Sequence, residues 1–527
     1  MAIAAIEGVI WMIVVGFIIA FILSFALGAN DAANSLGTSV GAKVLTLAQA
    51  FAIGCFFETL GAVLVGSKVS DTIRKGIFDV DMYDGNEKLL MVGQISALTA
   101  CAIWLFIATA LKLPVSATHS IVGATVGYHL VVFGGKGIKI SEIVSIVVSW
   151  FISPALSGII SVVTFLILRY SFVNKDEPLE PGLRTLPFWY ALVFLVNSFS
   201  IFYEGPALLH LDELPIWGSL IICFGGGLIV ALFIWFVVVP YLRKNINEKE
   251  ELVENEEKLE SEEESQSIFK NGQENSNYNS IDKTEFASDG QYDKLHESSK
   301  EVEDKSYELT SSQETEDKSA PNSKNTTGCL HVAEKGLLDL SDKIIGPPPS
   351  GPVAKDHPHV VKLCSPLQIL SAMFSAFAHG GNDVSNGIGP LVALWMIFTT
   401  GEVAQEEETP LWILFYGGVG ISVGLCLLGK RVIETIGEDL TTLTPSSGFS
   451  VELGAATTVL VASNLGIPIS TTHCKVGSVV AVGWARDRRA GAVNWKLFGN
   501  IILSWVVTLP CTIGLSAGVM ALLRMTV

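Results

Sequence analysis

The sequence predicts an all-α polytopic membrane protein with about 12 membrane segments, built as inverted-topology repeats with discontinuous or re-entrant helices. Three observations carry that prediction. Half of the 527 residues are hydrophobic and only 16% are charged. Apolar runs of 17 or more residues recur along the chain. They suit helices that cross a bilayer, not the short alternating segments of a membrane β-barrel. Two polar motifs, set within those runs, each occur twice and in the same order.

Taken in order, seven apolar segments precede an acidic stretch: 7–27, 44–66, 89–111, 114–133, 141–170, 186–203 and 214–242. Five follow it: 363–397, 411–429, 449–465, 467–484 and 495–525. The first run lacks a basic n-region and a small-residue cleavage site, so it reads as a retained span. Pro114, Pro154, Pro468 and Pro510 interrupt several segments. Such breaks persist at membrane depth only where protein or a water-filled cavity satisfies the freed backbone groups. The chain thus divides into a first membrane half, 1–242, an acidic linker, 243–362, and a second membrane half, 363–527, that holds the inverted copy. Six of the eight cysteines (Cys55, Cys101, Cys223, Cys426, Cys474 and Cys511) lie in the interior of apolar spans and read as small packing residues.

The net charge of −18 is a local property. Residues 245–360 hold 12 Lys, no Arg and 27 Asp or Glu, a net of −15. The membrane portion is close to neutral, and nothing points to nucleic acid. The acidic stretch has the composition of a disordered, solvated segment whose partners are unreadable. Arg243 and Lys244 follow the seventh segment, and "ARDRR" at 485–489 is strongly basic, whereas "EGPALLHLDE" and "TTGEVAQEEE" carry no basic residue. The excess of Lys and Arg predicts a cytoplasmic linker, extracellular termini and an unused sequon at Asn325. The loop 67–88, with Lys68, Arg74, Lys75 and Lys88, then falls outside, against that rule.

"FALGANDAANSLG" at 25–37 returns as "FAHGGNDVSNGIG" at 377–389, with seven of thirteen positions identical. "LPVSATHSIVGA" at 113–124 returns as "IPISTTHCKVGS" at 467–478, with six of twelve identical. "SWFISP" at 149–154 is echoed by "SWVVTLP" at 504–510. Apolar runs match by chance at Leu and Val, but not at Asn, Asp, His and Pro together. Each copy lies seven segments from its partner, an odd number, so the copies run oppositely through the membrane. That is a common build of secondary transporters, whose site lies near the midplane at the repeat interface.

Asn30, Asp31 and Asn34, with Asn382, Asp383 and Asn386, offer hard oxygen ligands. Gly28, Gly37, Gly380, Gly381 and Gly389 are expected to break the helices and expose carbonyls, which suits a hard alkali cation. The competing reading makes the asparagines interhelical glue and the glycines packing points. It is weaker for Asp31 and Asp383, because glue needs no charge. The Pro-x-Ser-x-Thr-His elements read as helix N-termini. Ser116, Thr118, Ser470, Thr471 and Thr472 would there offer hydroxyls and free N–H groups to a tetrahedral oxyanion. Simple capping is the alternative for any one hydroxyl. Glu58, His379 and Glu452 are ionisable residues within apolar runs and thus functional candidates. Lys475 could attract anions or snorkel. His119 and His473 read as helix-end hydrogen bonders and not as metal ligands, since tetrahedral-site spacing is lacking. No nucleotide-binding loop of the G-x-x-x-x-G-K-[ST] type occurs, so ATP is not the expected driving force.

These motifs, "GANDAANSLGTSVGAKVLTLAQA", "KLPVSATHSIVGATVG", "AHGGNDVSNGIGPLVALW" and "ISTTHCKVGSVVAVGW", resemble the inorganic phosphate transporter family, specifically its animal-type sodium-dependent symporters. The resemblance implies phosphate as substrate and sodium as the cotransported ion and only metal. It implies no cofactor and no enzymatic activity. It assigns sodium coupling to Asp31 and Asp383, transport-critical roles to Glu58, Glu452 and His379, and substrate contacts to Ser116 and Ser470. It implies an integral protein of the plasma membrane whose partners are phosphate, sodium and the lipid bilayer, and it leaves a homodimer open. Around Thr118 this chain reads "SATHS" where relatives commonly carry Gly and Cys, with small residues kept. The expected activity is sodium-coupled phosphate uptake by alternating access. A proton-coupled transporter of the same fold and a phosphate-sensing receptor with little flux are the alternatives.

Overall fold

A computed structural model describes residues 8–203, 211, 213–252, 255, 258–259, 355–405, 407–467, 469–488 and 491–527, with backbone only at 32–34, 142 and 438. Pro468, Asn325, the side chain of Asn34 and most of the acidic linker lie outside the described residues. The membrane helices are α1 (Ile10–Gly41), α2 (Leu47–Lys75), α3 (Glu87–Ala110), α4 (Ala117–Phe133), α5 (Ile140–Leu168), α6 (Leu179–Phe202) and α7 (Ile216–Phe233). Then come α8 (Pro358–Thr400), α9 (Leu411–Leu428), α10 (Pro445–Asn464), α11 (Thr471–Arg486) and α12 (Trp495–Leu523). Two isolated bridges, Phe78 with Ile138 and Thr441 with Val493, are the β pairing among the described residues. Residues 241–344 form a unit of their own, helical at its described start, where an exposed Lys244–Glu248 pair spans 3.7 Å.

Each of the twelve apolar segments of the sequence is thus a helix, and nine of the described helices are long and apolar enough to cross a membrane. Three helices fall short: α10 is long enough at 20 residues but too polar, and the other two are short. Helix α4 has 17 residues and α11 has 16, roughly 25 Å each at 1.5 Å per residue. Both start just after a serine, at a tip between paired helices: residues 111–116 join α3 to α4, and the described residues 465–467 and 469–470 lie between α10 and α11. Side chains in the middle of α1 reach the first tip, where Asn30 donates to Leu113 O at 3.0 Å. Trp505 Nε1 of α12 donates to Pro114 O at 3.2 Å.

The inverted arrangement is visible in helix direction. Gly16 of α1 faces Leu391 and Leu394 of α8, whereas Gly387 of α8 faces Ser24 and Leu27, so the two repeat-equivalent helices run antiparallel. Helix α2 runs parallel to α8, with Gly61 on Phe377 and Gly389 on Ile73. Helix α9 runs parallel to α1 in the same way, with Gly420 on Ser24 and Gly424 on Phe25. Thr59 and Ser422 hold matching positions in α2 and α9 and meet each other, Oγ to Oγ at 3.2 Å, which sets the pseudo-two-fold axis between them.

The glycines do not break these helices. Helix α1 runs unbroken through Gly28 and Gly37, and α8 through Gly380, Gly381 and Gly389. A Cβ on Gly28 would lie 1.9 Å from Ile421 O, and one on Gly380 would lie 2.0 Å from Glu58 O. The reciprocal crossings repeat this: Gly61 against Phe377 O and Gly424 against Phe25 O, each at 1.9 Å. The expected unwinding is therefore corrected to backbone-to-backbone packing, the use that small residues serve between membrane helices. At Gly37, Gly381 and Gly389 a Cβ would have 3.0 Å or more of clearance, so those crossings are looser.

Candidate functional site

The two tips are held alike. At each, a serine caps the following helix: Ser116 Oγ accepts from His119 N and Ser470 Oγ from His473 N, both at 3.2 Å. Capping is thus present at both serines, and each hydroxyl proton stays available to an acceptor. An asparagine from the long helix reaches the end of the preceding helix: Asn30 Nδ2 donates to Thr109 Oγ1 at 3.2 Å, and Asn382 Nδ2 to Ser463 Oγ at 3.0 Å. Asn30 Oδ1 also accepts from Val115 N at 3.1 Å, so its amide braces the first break. The tips then cross-link: Thr118 Oγ1 donates to Ile469 O at 3.1 Å, and Thr472 Oγ1 to Val115 O at 3.0 Å.

Between the long helices and the tips sits a buried acidic centre. One ligand atom each of Asp31, His379 and Asp383 lies within 4.8 Å of the others. Asp31 Oδ1 is 2.9 Å from Thr472 Oγ1, and Asp383 Oδ2 accepts from Thr471 Oγ1 at 2.6 Å. Asn386 Nδ2 donates to Asp383 Oδ1 at 2.7 Å and to Thr118 Oγ1 at 3.2 Å. His379 stands 2.9 Å from Asp383 Oδ2 through Nε2 and 3.3 Å from Glu58 Oε1 through Nδ1. Ser35 Oγ donates to Glu58 Oε1 at 2.8 Å. Carboxylates, hydroxyls and carbonyls are the donor set a hard cation takes. Two buried carboxylates this close repel unless a cation or proton offsets them.

Glu452 is not in that centre. It accepts from Thr38 Oγ1 and Ser39 Oγ, both at 2.6 Å, and from Ser371 Oγ and Gln368 Nε2. Ser371 lies twelve residues before Asp383 on α8, roughly 18 Å along the helix. Lys475 is buried nearer that end and donates to Ser375 Oγ at 3.1 Å. On the α5 and α12 side of the tips, the His119 and His473 rings meet at 4.5 Å, with Trp150 beside one and Trp505 beside the other.

The predicted residues Asn30, Asp31, Ser116, Thr118, Asn382, Asp383, Ser470, Thr471 and Thr472 therefore form one locus, with Glu58 and His379 adjoining it. A sequence model described as phosphate transporter family matches residues 27–516. The chain belongs to that family. Sodium-dependent phosphate transporter 1-B of Danio rerio is 41% identical, over 97% of this chain and 95% of its own. Sodium-dependent phosphate transporter 2 of Homo sapiens is 40% identical, over 98% and 99%. A solved structure titled "The sodium-dependent phosphate transporter" superposes with a TM-score of 0.71 at 32% identity, covering 98% of this chain and 100% of that one. The phosphate transporter family is one of transporters, and this chain is no enzyme.

Reading motifs alone missed several parts of this family member's site. Thr109 and Ser463 occupy matching positions before their tips, yet Thr and Ser differ and look incidental. Thr38, Ser39, Gln368 and Ser371 around Glu452 come from distant segments and have no repeat to mark them. Trp150 and Trp505 were marked by the weakest echo, "SWFISP" and "SWVVTLP".

Proposed function

We propose that this protein is a secondary active transporter that moves inorganic phosphate into the cell with sodium by alternating access. The single observation that carries this reading is the pair of inverted helix tips meeting at Asp31 and Asp383. In this reading sodium enters among the carboxylates and the hydroxyls of Thr471 and Thr472, relieving their mutual repulsion. The added positive charge then favours phosphate at the N-termini of α4 and α11, where Ser116 and Ser470 offer hydroxyl protons, Thr118 could do so only by releasing Ile469 O, and the helix dipoles favour an anion. Binding of the anion would in turn hold sodium, which couples the two. His379 positions Asp383 from one side while Glu58 holds the imidazole from the other. Phosphate and sodium are named in the relatives' titles, and they fit the donor sets here.

The same reading sets the protein in the plasma membrane, as the family resemblance implies, and the distribution of Lys and Arg supports extracellular termini and a cytoplasmic linker 243–362. Radiolabelled phosphate uptake into vesicles, with sodium replaced by choline at fixed pH, tests the coupling. Uptake should collapse in choline; undiminished uptake would refute it.

A further inference from the structure

The basic loop that broke the positive-inside pattern lies at the rim of a cavity of about 570 Å³. Its floor is the second tip, at Leu465, Gly466 and Ile467, and its rim carries Lys75 and Lys139. At roughly 30 Å³ per water, it has room for a phosphate with its first hydration shell. Lys75 ends α2 and Lys139 precedes α5. The rim is fastened, because Lys139 Nζ donates to Lys75 O at 3.1 Å and Asp79 N to Gly137 O at 2.9 Å. The floor is fastened as well: Thr72 Oγ1 donates to Gly466 O at 2.9 Å. Among the described residues the cavity is lined by one carboxylate, Asp71, which is taken up by Arg74, with Nη2 at 2.6 Å and Nε at 3.1 Å. Among the described residues, two ammonium groups therefore set the sign of the mouth. A hydroxyl on α5 at Ser145 and another at Ser149 line its wall.

We propose that Lys75 and Lys139 form an anion-capturing vestibule, which concentrates inorganic phosphate outside the second tip before it reaches Ser470. Clefts lined by one sign of charge raise the local concentration of the opposite ion and its on-rate. The positions matching Thr72 and Lys75 in the second repeat are Thr435 and Glu438, so the sequence does not repeat the Lys75 charge. The vestibule gives the basic residues of a loop expected outside a role. The inference rests on phosphate being the substrate.

The test is phosphate uptake by full-length protein in proteoliposomes at constant sodium and low ionic strength. The double variant Lys75→Gln with Lys139→Gln should raise KM by roughly tenfold, at the low end of electrostatic steering, with kcat kept. Added choline chloride should raise the parent's KM and leave the double variant's flat, while Lys75→Arg with Lys139→Arg should behave as the parent. An unchanged KM, or a loss confined to kcat, would overturn the vestibule. If the double variant does not fold, Lys75→Gln alone is read by the same criteria. A parent that carries no phosphate would instead refute the transport reading itself.

Discussion

The two inverted repeats match in their hydrogen bonds and differ in their charges. Both tips carry a serine cap, an asparagine brace and a threonine cross-link at corresponding positions. Yet His379 stands where the first repeat has Leu27, Glu58 where α9 has Ile421, Glu452 where α3 has Leu98, and Lys475 where α4 has Ile121. Symmetry thus builds the cage, and asymmetry assigns the titratable groups, all but Glu58 to the second repeat. Glu58 joins them because α2 packs on α8. Two symmetric halves can exchange shapes by rocking, as inverted repeats do. Only the asymmetric charges let the exchanged state handle ions differently from the first.

The comparison breaks hardest at His379. His379→Leu restores the first repeat's residue and strips two buried carboxylates of their shared neighbour. Removing one partner of a buried pair costs about 3–5 kcal/mol. Thermal unfolding of the purified protein in detergent should show that loss, while an unchanged midpoint would mean Glu58 and Asp383 do not depend on the imidazole.

Next in size are the helix crossings. Gly28→Ala and Gly380→Ala force a methyl onto a carbonyl of the facing helix, and overpacking of this kind costs about 1–3 kcal/mol. The two should lose similar amounts, as symmetric crossings must. Gly37→Ala, with its nearest atom 3.5 Å away, should stay within about 0.5 kcal/mol of the parent. Equal damage at all three positions would return the glycines to a conformational role.

The smallest effect separates the two threonine cross-links. Thr472→Val removes a hydroxyl proton shared between Asp31 Oδ1 and Val115 O, while Thr118→Val removes a donor to Ile469 O and an acceptor for Asn386 Nδ2. Hydrogen bonds to charged groups contribute about 1.5–3 kcal/mol and neutral ones about 1. The sodium concentration for half-maximal uptake should therefore rise more for Thr472→Val, and equal shifts would remove Thr472 from the ion's surroundings.

Much of this was legible in the chain. The helices, the duplication and its inverted sense followed from apolar run length and from Asn, Asp, His and Pro recurring together. Nine of the site residues converge as their motifs indicated. What escaped the sequence was where the chain breaks and what the glycines do. A glycine permits both a break and a close approach, and only the facing carbonyls of Ile421 and Glu58 decide between them. The matched glycines of α2 and α9 (Gly54, Gly61 and Gly66 against Gly417, Gly424 and Gly429) were invisible as a repeat, because little polar sequence surrounds them. Glu452 was read as one of a set, but one of its donors, Ser371, lies a dozen residues from Asp383 along α8, a separation that only the folded chain reveals.

The central claim is that both repeats contribute one aspartate to a single sodium-dependent phosphate site. Equilibrium binding of radiolabelled phosphate to the purified protein, with sodium and with choline, tests it most directly. The parent should bind phosphate only in sodium, and Asp31→Asn and Asp383→Asn should each abolish that binding while the protein keeps its fold. Sodium-dependent binding that survives either substitution unchanged would contradict the account.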